Sequence, residues 1–184
     1  MHPDKIEAIE WAKDFLISDS LILDTETTAL NDAEICQIAM IDRHGNTHMD
    51  MLIKPTRLIP ADAIAIHGIT NEMVAKSPSF IQAWPVIEHL LMRGIVIYNA
   101  PYDTGVIRNC LNIAGITSTW LPIASCAMHN YSAYVGERGR YGNTYRWQKL
   151  PPCGDDAHNA LADCRSTLAI IKQMAGADVR AIAG

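Results

Sequence analysis

No stretch of this 184-residue chain is apolar for long enough to cross a bilayer, which excludes a membrane-spanning helix. The start, MHPDKIEAIEWAKDF, carries charge from its fourth residue and lacks the apolar run of a signal peptide. Paired cysteines are missing too. Cys36, Cys110, Cys126, Cys153 and Cys164 are odd in number and scattered, which argues against an oxidised framework and for a reducing cytosol. Nor is there a surplus of positive charge. A net charge of −5 argues against a protein that coats DNA through phosphate contacts. It says little against a hydrolase that grips a chain end through metal ions, because the acidic ligands count in that sum. Repeats, low-complexity tracts and linkers are absent. What remains, with 49% hydrophobic residues, is enough for one domain with its own core.

Apolar residues Ala8, Trp11, Ala12 and Phe15 recur at helical spacing between Pro3 and Leu16, predicting an amphipathic helix. LILD reads as a short buried strand. Strands over Glu34–Ile41 and Thr47–Lys54 flank the turn Arg43–Asn46 and suggest a hairpin. Ala61–His67 and Ser79–Met92 read as helices, the second kinked or restarted by Pro85. GIVIYN is an apolar strand, Tyr102–Ala114 a helix, and Ile123–Tyr134 a short strand followed by a helix. Gly136–Trp147 is a loop, and His158–Met174 the last helix. The order predicts an α/β fold, a mixed sheet flanked by helices in a single domain, with residues 1–18 as an N-terminal helical extension to a domain over 19–184.

Three segments carry chemistry. In Asp24-Thr25-Glu26, strand alternation points both carboxylates the same way. Such a pair either faces solvent by chance or is offset by a hard cation. In Asn99-Ala100-Pro101-Tyr102-Asp103, an acid stands where an apolar strand meets a helix. That is either a ligand position of an open α/β sheet or a simple helix start favoured by the dipole. In His158-Asn159-Ala160-Leu161-Ala162-Asp163, residues five apart in a helix lie about 140° apart, so His158 and Asp163 converge only if His158 lies in the first turn or before it.

Taken in order, the three segments resemble the DEDDh (DnaQ-like) 3′–5′ exonucleases, the superfamily of the proofreading subunit of bacterial replicative polymerases and of exonuclease X type enzymes. D-x-E-T-T-G-L is matched by Asp24-Thr25-Glu26-Thr27-Thr28-Ala29-Leu30, the second motif by Asn99 with Tyr102-Asp103, and H-x-A-x-x-D by His158, Ala160 and Asp163. His67-Gly68-Ile69-Thr70 is similar to the end of a family helix. Ala29 replaces a common Gly, Tyr98 a common His and Tyr102 a common Phe; none of these is a metal ligand.

The resemblance implies a ribonuclease-H-like sheet and two Mg²⁺ (or Mn²⁺) ions on Asp24, Glu26, Asp103 and Asp163. It implies His158 as general base, and 3′ to 5′ release of nucleoside monophosphates. Thr25, Thr27, Leu30, His67, Ile69, Asn99 and Tyr102 would line the substrate pocket, although Leu30 and Ile69 read equally as core. The partner implied is the 3′ end of a nucleic acid, single-stranded, with DNA preferred. An exoribonuclease resembling oligoribonuclease or ribonuclease T stands as the alternative, and a non-catalytic nucleic-acid-binding module as another. A homodimer or a partner protein is left open, as is the role of the first helix. With only Gly176–Gly184 after the last helix, a free-standing trimming or repair nuclease is expected.

The loop GERGRYGNTYRWQK interleaves Arg138, Arg140, Arg146 and Lys149 with Tyr141, Tyr145 and Trp147. This pattern suits either a single strand or a solvated surface loop. Cys126, His129 and Cys153 lack the ligand number and spacing of a structural zinc site. His44 and His48 flank a turn and are expected to be exposed.

Overall fold

The structure, a computed structural model, describes residues 2–117, 124–140, 144–151 and 158–176. Helix α1 (Pro3–Ile17) precedes strands β1 (Leu21–Thr27), β2 (Ile35–Ile41) and β3 (Thr47–Leu52). Helices α2 (Ala61–His67), α3 (Asn71–Val74) and α4 (Phe80–Leu91) follow. Then come β4 (Ile95–Ile97), α5 (Ala100–Ile113), β5 (Ser125–Cys126), α6 (Ala127–Val135) and α7 (Ala160–Ala175). The mixed sheet runs β3-β2-β1-β4-β5, with β1, β2 and β3 antiparallel and β4 and β5 parallel to β1. The α/β, ribonuclease-H-like single domain read from the sequence is the one found.

Alternation along β1 divides the core. Leu21 and Leu23 pack with α4 and α5 residues such as Trp84, Ile87, Val106 and Ile107. Ile22 faces the other way, with Ala12 and Phe15 of α1 and Cys164, Leu168 and Ile171 of α7. The first helix therefore covers the sheet face it shares with α7. It buries Ala8, Ile9, Ala12 and Phe15, and Trp11 Nε1 donates to Ser125 Oγ at 2.7 Å. Burying one large side chain of this kind contributes about 1.5–3 kcal/mol, enough to hold the helix down.

Helix α7 shows why the second face closes tightly. Its buried stripe, Ala160, Cys164, Thr167, Leu168, Ile171 and Met174, follows helical periodicity. Small residues at its start let the backbone approach β1 and β2, where the Cys164 thiol leans on the carbonyls of Ile22 and Ala39. Asn159 caps the helix by accepting from Leu161 N and Ala162 N, and Gln37 Oε1 on β2 accepts from Ala160 N. A side-chain cap of this type is worth about 1 kcal/mol. Here it also fixes where Asp163 points.

Two readings change. Pro85 does not restart α4, which runs as one helix across it. Pro85 stands on the exposed face, where a carbonyl that lacks an amide partner meets water. The short α3 was not anticipated from the sequence. It starts at Thr70, whose hydroxyl accepts from Met73 N. No helix among the described residues is long and apolar enough to cross a membrane.

Candidate active site

Asp24 and Glu26 share the β1 face that looks toward α7, as their spacing requires. Asp163, in the first turn of α7, meets them there. One carboxylate oxygen from each of Asp24, Glu26 and Asp163 lies within 4.8 Å of the others. Asp103 arrives from the opposite side of the sheet, in the first turn of α5, and is only 4% exposed. Its Oδ1 accepts from Thr25 Oγ1 at 2.7 Å, so the middle residue of Asp-Thr-Glu holds the carboxylate that the other two do not reach. Both helices present their positive N-terminal ends to this acidic corner.

Electrostatics follow from this crowding. Burial first, then the charges of Asp103, Asp163 and Glu26, push the Asp24 carboxyl well above its ordinary range. Glu26 rises to about 7, through burial and then Asp163 and Asp103. Burial also raises Asp103, against the hydrogen bond from Thr25 that favours its charged form. Asp163 is raised by burial and lowered by nearby His158. Hard oxygen donors converging with like charge fit a hard divalent cation such as Mg²⁺ or Mn²⁺.

A stability test follows. A carboxylate whose folded pKa is raised holds a proton in the native state that the unfolded chain has already released. Its stabilising contribution is complete below the unfolded value and is lost as pH rises through the folded one. For Glu26 that window runs from its ordinary 4.5 to about 7. Glu26 alone accounts for about 3 kcal/mol, and Asp24, Asp103 and Asp163 act in the same direction. Metal-free protein should therefore unfold at a lower temperature near about pH 8 than near about pH 5, and added Mg²⁺ should reverse the loss at the higher pH. Calorimetry in EDTA and in Mg²⁺ checks both; a flat pH profile would mean that the carboxylates are not crowded.

His158 lies just before the cap of α7, exposed, with φ of 64°. Standing outside the helix resolves the angular mismatch with Asp163, whose carboxyl registers the His158 charge. His67 is close enough to be lowered by that charge as well, after burial, and against its hydrogen bond to the Thr27 backbone. Ile69 N donates to His67 Nδ1 at 3.0 Å, which puts the ring proton on Nε2, 3.8 Å from Cys36 Sγ. Gly68, at φ 73°, supplies the left-handed turn that folds Ile69 back onto the ring.

The remaining pocket residues separate into those at the surface and those beneath it. The β1–β2 loop is closed by Thr28 N donating to Glu34 O and Glu34 N to Thr28 Oγ1. Leu30 stands at its tip, 85% exposed, so the core reading of Leu30 fails. Ile69 is buried in a small cluster with Cys36, Ile59, Ala63 and Val74, so it backs the site from within the core. Tyr102 Oη donates to Ala29 O at 2.8 Å and lies 2.7 Å from Thr27 Oγ1, joining loop to helix. Ala29 needs no left-handed backbone; Asp32, at φ 48°, takes that role. Leu30, Asp32, Ala33, Tyr102, Val106 and Asn109 line a cavity of about 300 Å³ between the β1–β2 loop and α5, and none of the four carboxylates lines it. Asn99 is exposed at the start of α5 and makes no side-chain cap.

Thr25 and Gln37 are the positioning residues of this site whose contacts no motif announced. Buried Glu34 is a third contributor. It accepts from Thr56 N, Thr56 Oγ1 and Arg57 Nε, anchoring the segment that leads to α2. Cys126 donates to the Tyr98 carbonyl and His129 stacks on Trp147, so neither joins an acidic or thiol cluster among the described residues. Cys153 and Tyr141 lie outside the described residues. His44 and His48 are both exposed as expected, and His48 Nε2 pairs with Asp42 at 3.1 Å.

Comparison with known proteins agrees with this geometry. The RNase T model, described as exonuclease, matches residues 21–171. The uncharacterized exonuclease CP81 of Escherichia phage 186 is 41% identical over 179 residues, covering 89% of this chain and 92% of that one. The DNA polymerase III subunit epsilon of Pasteurella multocida is 39% identical over 98 residues, 46% of this chain and 38% of that longer protein. Among solved structures, Exonuclease X in complex with 5′ overhanging duplex DNA aligns with a TM-score of 0.57 and 28% identity, covering 87% of this chain and 95% of that one.

Proposed function

Since this chain belongs to the exonuclease family, in its DEDDh (DnaQ-like) branch, we propose that it removes nucleoside monophosphates from the 3′ end of DNA by divalent-metal-dependent hydrolysis. The observation that carries this reading is the convergence of Asp24, Glu26 and Asp163 within 4.8 Å, with Asp103 adjoining. These four would hold two Mg²⁺ or Mn²⁺ ions. Bound there, such ions supply charge neutralisation, an activated water and stabilisation of the leaving 3′ oxygen.

The chain's own residues do the rest. His158, exposed at the mouth and sensed by Asp163, takes the proton of the attacking water on a ring nitrogen. Thr25 keeps Asp103 aimed into the cluster. Thr27 and Tyr102 brace the loop that carries Leu30, and the terminal base lies against Leu30 at the cavity mouth. His67 holds the Thr27 backbone from behind. DNA is favoured over RNA because the names of the relatives with substantial identity refer to DNA: a DNA polymerase subunit and a DNA complex of Exonuclease X.

The test is cleavage of 5′-labelled single-stranded DNA, duplex DNA and RNA of one sequence, in Mg²⁺, Mn²⁺ or EDTA. A ladder shortening from the 3′ end, metal-dependent and fastest on DNA, is expected. Shortening from the 5′ end, or undiminished cleavage in EDTA, would refute the reading.

A further inference from the structure

The loop rich in arginine and aromatics divides into two parts. Its first part is committed to the fold. Arg138 pairs by an isolated bridge with Tyr145 and lays its guanidinium 4.7 Å from that ring, while Tyr145 Oη donates to Asp4 Oδ2 of α1. The second part faces outward. Trp147 is 55% exposed and rests on His129, with ring centroids 4.7 Å apart and planes tilted by 35°.

This ring is held firmly for an exposed one. On one side Arg146 N donates to Glu137 O at 2.8 Å. On the other, Gln148 N donates to Ser132 Oγ at 3.2 Å and Gln148 O accepts from Tyr98 Oη at 2.8 Å. Exposed Arg146 and Lys149 flank it, with Glu137 the acid paired to Arg146 at 3.7 Å. The indole is a large apolar surface left open among cations, on a backbone fixed at both neighbours. Folding would bury an indole, whereas recognition of a base needs it open.

Its location fits the substrate path. His129 stands in the first turn of α6, directly after β5, at the C-terminal edge of the parallel strands. That is the edge from which β1 presents Glu26 and β4 leads through Asn99 to Asp103. β5 is two strands from β1, roughly 10 Å across the sheet.

We propose that Trp147, supported by His129 and flanked by Arg146 and Lys149, is a stacking platform for a base of the single strand upstream of the terminal nucleotide. The proposal rests on the nuclease reading above. It makes the site longer than its carboxylates, with affinity that grows with substrate length until the platform is reached.

Steady-state cleavage of a long polythymidylate strand and of a thymidylyl dinucleotide by wild type, Trp147→Ala and Trp147→Phe tests it. Trp147→Ala should raise KM for the long strand roughly tenfold, with kcat unchanged, and leave the dinucleotide unaffected. Trp147→Phe keeps a ring and should retain most of the affinity. Equal KM for wild type and Trp147→Ala on the long strand, or an equal loss on both substrates, would overturn the platform. Anisotropy of the labelled long strand in Ca²⁺, which neutralises the carboxylates, repeats the comparison without turnover. If wild type cleaves nothing, the nuclease reading fails, while the affinity ratio of wild type to Trp147→Ala still decides the platform.

Discussion

Asp163→Asn leaves a folded protein whose kcat falls by about 10³-fold, the order seen when one preorganised electrostatic group is removed from an active site. The amide keeps the shape of the carboxylate and the capped first turn of α7, held by Asn159 and Gln37. It removes one of three carboxylates that converge within 4.8 Å. Asp163 raises the pKa of both Asp24 and Glu26, so its neutralisation relieves repulsion. The metal-free variant should therefore unfold at a higher temperature than wild type above about pH 7, while Mn²⁺ stabilises it less. Higher apo stability together with lost activity is a pairing that misfolding does not produce. Near-normal cleavage by the folded variant would remove Asp163 from the site.

His158→Ala behaves differently. The imidazole contributes no oxygen to the acidic group and stands exposed ahead of α7. Removal of a general base lowers kcat by about 10²–10⁴-fold, while stabilisation by Mn²⁺ persists. The left-handed backbone of His158, at φ 64°, adds a second consequence. His158→Gly relieves that conformation and should be at least as stable as wild type, yet as inactive as the alanine variant. Full recovery of His158→Ala in excess Mn²⁺ would instead make His158 a residue of metal affinity.

What was readable in the sequence depended on whether a feature lies along one element or between two. Asp24 and Glu26 were legible because period-two alternation is a property of a strand by itself. The core face of α1 followed from helical spacing in the same way. The hydrogen bond from Thr25 to Asp103 joins residues 78 positions apart, one on β1 and one on α5, and spacing carries no trace of it. Gln37 reaching across to Ala160 is another such link. β5 has two residues, too few for a period to show.

The substrate side was less legible for a related reason. Leu30 and Ile69 are both aliphatic, and only tertiary structure puts one at a loop tip and the other under α2. The basic aromatic loop looked uniform in sequence. Arg138 and Tyr145 are engaged with each other, and Tyr145 with Asp4 of α1, whereas Trp147 stays exposed. Composition alone does not distinguish them, because each would serve either purpose.

Anomalous diffraction from crystals soaked in Mn²⁺ and a nucleoside monophosphate addresses the acidic cluster most directly. Two manganese peaks are expected among Asp24, Glu26, Asp103 and Asp163, with the base against Leu30. Saturating Mn²⁺ that leaves no peak among these four carboxylates would contradict the assignment of this cluster as the nuclease centre.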